Sequence, residues 1–164
     1  MGDWLTFSAE ETLLPHPFEK ASAHEVVEQK MKNAAYRIPP PGEHPDYSKT
    51  YHLNEGDRPR MMRHAERLPH FKVDMPVHML TPGNSIFPER MARMNKIGGS
   101  SDRGFTEIDR SHKGDPVYTV EDGNHRVAHA KATGKSTVPM FVRPNHPDDL
   151  ARLHSDIQKW HASR

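Results

Sequence analysis

The sequence predicts a single α+β (α/β) domain: a small mixed sheet with surrounding helices and long Pro-rich loops. Three observations predict it. Residues 71–80 alternate apolar and polar side chains. Residues 117–142 read strand, tight turn, helix, strand. Amphipathic stretches at 22–36 and 147–160 carry the period of helices that cover a sheet.

The elements follow in chain order. Scattered apolar anchors (Trp4, Leu5, Phe7, Leu13, Leu14, Phe18) suggest an N-terminal arm laid on the domain. Ser22 and Glu25 form a capping box, and Val26, Val27, Met31, Ala34 and Ala35 share one face, so a helix runs from Ser22 to Tyr36. Residues 37–59 hold Pro39, Pro40, Pro41, Gly42 and Pro45, a run that neither a helix interior nor a central strand tolerates. Pro59 suits the first turn of a short helix over Arg60 to Leu68.

Phe71, Val73, Met75, Val77 and Met79 then line one face of a strand, in which Pro76 argues for an edge or a bulge. Ser85 caps a helix from Ile86 to Ile97, with Phe87, Met91 and Met94 inward and Gly98 as its stop. Residues 98–114 are polar and glycine-containing, which predicts a long loop. A strand at Pro116 to Val120, a turn, a helix from His125 to Thr133 and a strand from Thr137 to Val142 follow. The last helix runs from about Pro147 to Trp160, with Leu150, Leu153, Ile157 and Trp160 inward. Residues 71–164 are expected to form the core, and 1–70 an arm, a helix and a Pro-rich loop that pack on it.

Composition limits the function. Hydrophobic residues make up 34%, with 15 Pro and 10 Gly, so a compact core occupies only part of the 164 residues. A net charge of +1 gives no broad field for DNA or membranes, but it allows a local basic site. Thirteen His add charge in acidic surroundings. The absence of Cys excludes disulfides and thiolate chemistry. No run reaches the length of a membrane span, and the first residues lack a signal-peptide core. The expectation is a soluble cytoplasmic protein, or one delivered into another cell by a dedicated machine.

The chemistry concentrates in VEDGNHRVAHAKATGKSTVPMFV, residues 120–142. Gly123 permits a backbone bend that a side chain would obstruct. The helix entered there has first amides without intrahelical partners, and these favour an anion. Arg126 adds a fork of donors suited to phosphate oxygens, and His125 can move a proton near neutral pH. Asn124 can bind sugar or phosphate, or cap the helix, while Ala128, Ala130 and Ala132 keep the helix slim.

This stretch resembles the ParB/sulfiredoxin superfamily, which shares a strand, a G-x-x-R turn, an Ala-rich helix ending in Gly, and a closing strand with a Val-Pro pair. Here those are Gly123 to Arg126, the helix to Gly134, and Val138-Pro139. With the strand and helix before it, the resemblance covers roughly residues 71–142. It implies a nucleotide-phosphate cradle in a Gly-Asn-His-Arg variant. Asn124 stands where sulfiredoxins carry their catalytic Cys, so that chemistry is excluded. His125 replaces a second phosphate-contacting Arg of the chromosome-partitioning members, whose downstream Glu-Asn-x-x-Arg motif and helix-turn-helix domain are also lacking.

The site expected from these readings has His125, Arg126 and Asp122 as catalytic groups. Gly123, Asn124, His125 and Arg126 hold phosphate, with Arg103 and Lys113 reaching in from the polar loop. Asp122 and His129 are candidate ligands for Mg²⁺ or another divalent metal. The plain alternatives are a solvated turn acid, a helix-capping His and solvated loop charges. The leading functional expectation is a phosphodiesterase or nuclease, including a bacterial toxin effector domain with an immunity partner. The alternatives are a nucleotide-binding switch, ATPase or small-molecule kinase, and a non-enzymatic interaction protein. The expected partners are nucleic acid or nucleotide, and no membrane.

Overall fold

The computed structural model describes residues 14–36, 53–97 and 102–164. The anchors expected at Trp4, Leu5, Phe7 and Leu13, the Pro-rich stretch up to residue 52 and residues 98–101 lie outside the described residues. Five α-helices surround one six-stranded mixed sheet. The strands are β1 (Glu19–Lys20), β2 (Phe71–Pro76), β3 (Leu80–Pro82), β4 (Gly104–Arg110), β5 (Pro116–Asp122) and β6 (Thr137–Arg143). The helices are α1 (Ala23–Tyr36), α2 (Arg58–Arg67), α3 (Pro88–Ile97), α4 (Asn124–Ala132) and α5 (Asp149–Ala162). The spatial order is β1-β2-β6-β4-β5-β3. β4 runs parallel to β6 and β3 parallel to β5, and the other pairs are antiparallel.

The capping box at Ser22 forms as expected. Ser22 N–H donates to Glu25 Oε2 at 2.8 Å, and Glu25 N–H to Ser22 Oγ at 3.1 Å. α1 and α2 then cover one face of the sheet, where Val26, Val27 and Ala65 pack on Phe105 and Phe141. Val127 and Ala130 of α4 and Leu150 and Leu153 of α5 cover the other face, against Val73, Ile108, Val120, Met140 and Val142. The strands alternate accordingly: Val138, Met140 and Val142 face α4 and α5, whereas Phe141 faces α1. β1 joins the sheet and α1 and α2 form one of its two layers, so the described residues before 71 pack on the core.

Three expectations are corrected. The single strand over 71–80 is two strands on different sides of the sheet. After Pro76 the chain makes a 3-10 turn at Val77–Met79, and Leu80–Pro82 pairs with β5 instead. Proline lacks the N–H a ladder needs, so the strand that pairs with β6 ends there. The polar loop expected at 98–114 contains a strand, β4, which lies inside the sheet between β6 and β5. β4 is antiparallel to β5 and parallel to β6, so β5 and β6 run antiparallel on either side of it. Trp160, expected inward, is only half-buried, stacked on His78 with the rings 5.8 Å apart.

α5 docks through a buried acid. Asp149, 0% exposed, accepts from the amides of Asn145 and His146 at 2.8 Å each and from Arg110 Nη2 at 2.8 Å. Arg110 also pairs with Asp148. A carboxylate fully removed from water needs such donors to stay charged.

Candidate functional site

The corner expected from the sequence is present. β5 ends at Asp122, Gly123 takes the left-handed conformation (φ +93°), and α4 begins at Asn124. The backbones pack closely here: a Cβ on Gly123 would lie 3.1 Å from the Cα of Gly104. β4 and β5 shift register just before the corner. Phe105 pairs with Asp122 and Thr106 with Val120, which leaves Glu121 as the extra residue of a bulge.

No side chain caps the start of α4. The cap position is held by Gly123, which has no side chain, and the side chain of Asn124 is used elsewhere. It is buried (7% exposed); its Oδ1 accepts from Gly83 N–H at 3.0 Å and its Nδ2 donates to Val120 O at 3.3 Å. Asn124 thus ties the end of β3 to the end of β5. Asn124→Ala is expected to cost about 1–3 kcal/mol by stranding buried backbone groups, read from the urea unfolding midpoint.

His125 and Arg126 go to different neighbours, as consecutive residues on a helix must, about 100° apart around its axis. His125 Nε2 accepts from Phe87 N–H at 2.9 Å, and its ring stacks on Phe87 at 6.0 Å between centroids. Accepting at Nε2 requires the neutral ring with its proton on Nδ1. Burial, then the charge of Arg90, lowers the pKa of His125 and favours that form. His125 therefore pins the chain entering α3, and Nε2 is committed to that bond rather than to a reacting proton.

Arg126 is 5% exposed and points to α1, where its Nη2 donates to Asn33 Oδ1 at 3.4 Å. Asn33 is the hub of this side. Its Nδ2 donates to Asp122 Oδ2 at 3.0 Å and to Arg103 O at 3.3 Å, and its Oδ1 also accepts from Gln29 Nε2 at 3.0 Å. Gln29 Oε1 in turn accepts from Arg103 N–H at 3.1 Å. So α1 is tied to one side of the corner, and Asp122, Arg126 and the backbone of Arg103 meet in one network. The side chain of Arg103 runs to Met140 O at 3.1 Å and lies over the Phe141 ring.

Two expected participants are not at the corner. Lys113 is exposed in the turn joining β4 to β5. The register puts that turn beside Arg110 and Pro116, the far end of the pair from Asp122, roughly 20 Å away along the strands. His129 faces α3 and bonds Asn95 Oδ1 through Nδ1 at 2.9 Å, whereas Asp122 faces α1. The pair proposed for a divalent metal therefore does not converge, and among the described residues no three His, Asp or Glu are placed to hold one.

Sequence reading missed Gln29 and Asn33, both buried. Their visible trace was two amides four residues apart beside the apolar face of α1. It also missed a charged cluster on the α1 side of the sheet, contiguous with Asp122. Arg143 Nη2 lies 2.6 Å from Glu107 Oε1 and 3.3 Å from Glu121 Oε1, and Asn145 Nδ2 donates to Glu107 Oε1 at 2.9 Å. Burial, then the neighbouring Glu107, raises the pKa of Glu121. Lys30 stands over the Phe105 ring with Nζ 5.3 Å from its centre, and burial lowers its pKa.

No protein-family model matches the chain, and no curated protein matches it. Among the described residues no helix is long and apolar enough to cross a membrane.

Proposed function

We propose that the corner from Asp122 to Arg126 binds the phosphate of a nucleotide or of a nucleic-acid strand. The observation that carries this is the uncapped start of α4. The amides of a helix's first turn need acceptors and concentrate positive potential, and phosphate oxygens supply what no side chain here does. Gly123 packs against the Cα of Gly104, and the Arg126 guanidinium lies beside that turn, donating to Asn33. The resemblance of residues 71–142 to the ParB/sulfiredoxin superfamily supports the same reading.

Binding is favoured over cleavage, because His125, the group expected to move a proton, already accepts from Phe87 through Nε2. A base must be free to reach the proton it takes. Amide NMR with inorganic phosphate and a panel of nucleoside triphosphates tests the reading. The signals of Asn124, His125 and Arg126 are expected to move with at least one of them. Arg126→Met is expected to weaken that binding about tenfold by removing charge-assisted donors, with a thermal melt to show the variant is folded. Silent amides at millimolar ligand would overturn it. Plasmid or RNA degradation lost in His125→Ala would restore the nuclease reading.

A further inference from the structure

We propose that the solvent side of α2 docks the phosphate backbone of a polynucleotide. The inference goes beyond the phosphate-binding reading of the corner: it adds a second surface, whose ligand is a strand rather than a free nucleotide. α2 turns Met61, Met62 and Ala65 toward the sheet. The opposite side carries Arg60, Arg63 and Arg67 at i, i+3 and i+7, one line along the helix, and all three are exposed. The fourth arginine, Arg58, is already used by Glu28 and Glu55.

The stripe is poorly neutralised. Asp57 reaches Arg60 at 3.4 Å, but among the described residues no carboxylate pairs with Arg63 or Arg67. Glu66 is the one acid within α2. His64 flanks the line. Partial burial, then the charges of Lys30, Arg67, Arg143 and Arg60, lowers its pKa.

Two features favour a phosphate backbone over an acidic protein. α2 has four Arg and no Lys, and the guanidinium fork matches phosphate oxygens in pairs. The three arginines span about 10 Å of helix, while one strand of a duplex presents a phosphate about every 3.4 Å of axis, so the stripe runs beside about three of them.

Fluorescence anisotropy with labelled single-stranded and duplex oligonucleotides over a range of salt tests this. The Arg63→Ala/Arg67→Ala variant, both changes on solvated positions, should melt like the parent. It is expected to bind about tenfold more weakly, with a salt slope smaller by about two. Unchanged affinity and slope would overturn the proposal, as would no binding of any oligonucleotide by the parent. Displacement of the oligonucleotide by polyglutamate at equal charge would assign the surface to an acidic protein instead. The amide signals at Asn124 to Arg126 keep the two readings apart. Arg-dependent oligonucleotide binding with a silent corner supports this surface while ending the corner site. A responsive corner with no arginine dependence does the reverse.

Discussion

Gly123→Ala is expected to destabilise the protein by about 2–3 kcal/mol. Holding a side-chain-bearing residue in the left-handed region costs about 1–2 kcal/mol by itself. Here φ is +93°, and the new Cβ would also press on the Gly104 Cα at 3.1 Å. Backbone on both sides cannot rotate away as a flexible side chain would. Gly104→Ala meets the same crowding from the other strand, its Cβ 2.8 Å from Asp122 O and 2.9 Å from the Met140 Sδ and Cε atoms. Overpacking of this kind costs about 1–3 kcal/mol. Gly104 has no positive φ, so its penalty is steric alone. Since the two positions touch, the double variant should be non-additive. Urea unfolding of the singles and the double measures both terms; at this chain length each kcal/mol lowers the melting midpoint by about 2–4 °C. A Gly123→Ala variant as stable as the parent would mean that the corner is not bent as described.

That corner was legible in the sequence because its causes are local. A turn glycine, an alanine-rich helix and a closing strand lie within 26 residues, 117–142. The capping box at Ser22 was legible for the same reason. β4 was not, because what makes GFTEIDR a strand lies elsewhere in the chain. Glu107 and Arg110 look like loop charges until Arg143 and Asp149 are placed beside them, 36 and 39 residues downstream. Phe105, Thr106 and Ile108 are buried, but glycine and four charges in or next to the window hide their alternation. Hiding β4 also misplaced Lys113: a residue expected to fold over a ligand is at the tip of a hairpin. The site suffered likewise. The polar groups on 122–126 were visible, but their directions depend on partners that no motif includes. Asn33 on α1 draws Arg126 and Asp122 to one side, and Phe87 draws His125 to another.

Arg143→Met should cost about 2–4 kcal/mol at pH 7, and the cost should shrink as pH falls. Arg143 is the cation against which Glu107 and Glu121 both lie, with side chains 17%, 25% and 35% exposed respectively. Removing one member of a buried ion pair costs about 3–5 kcal/mol, because the other charge stays behind. Partial exposure of the two carboxylates reduces that figure through solvent screening. The pH dependence follows from the direction in which each carboxyl is already held. Glu121 is raised by burial and by Glu107, so the stability it contributes is present below the ordinary carboxylate range and is lost as pH rises through its folded value. Glu107 is lowered by Glu121, Asn145 and Arg143, against an opposing push from burial, so its contribution is present above that range and is lost in acid. In the parent the two partly cancel. Without Arg143 both carboxyls lose the charge that holds them ionised, and both folded values rise. The variant then gains relative to the parent on acidification, because protonated carboxyls no longer need the guanidinium. Unfolding midpoints of parent and variant at pH 7 and near pH 4 measure the effect. A difference that stays constant or widens in acid would mean that Arg143 acts through packing on the α1 side rather than through its charge.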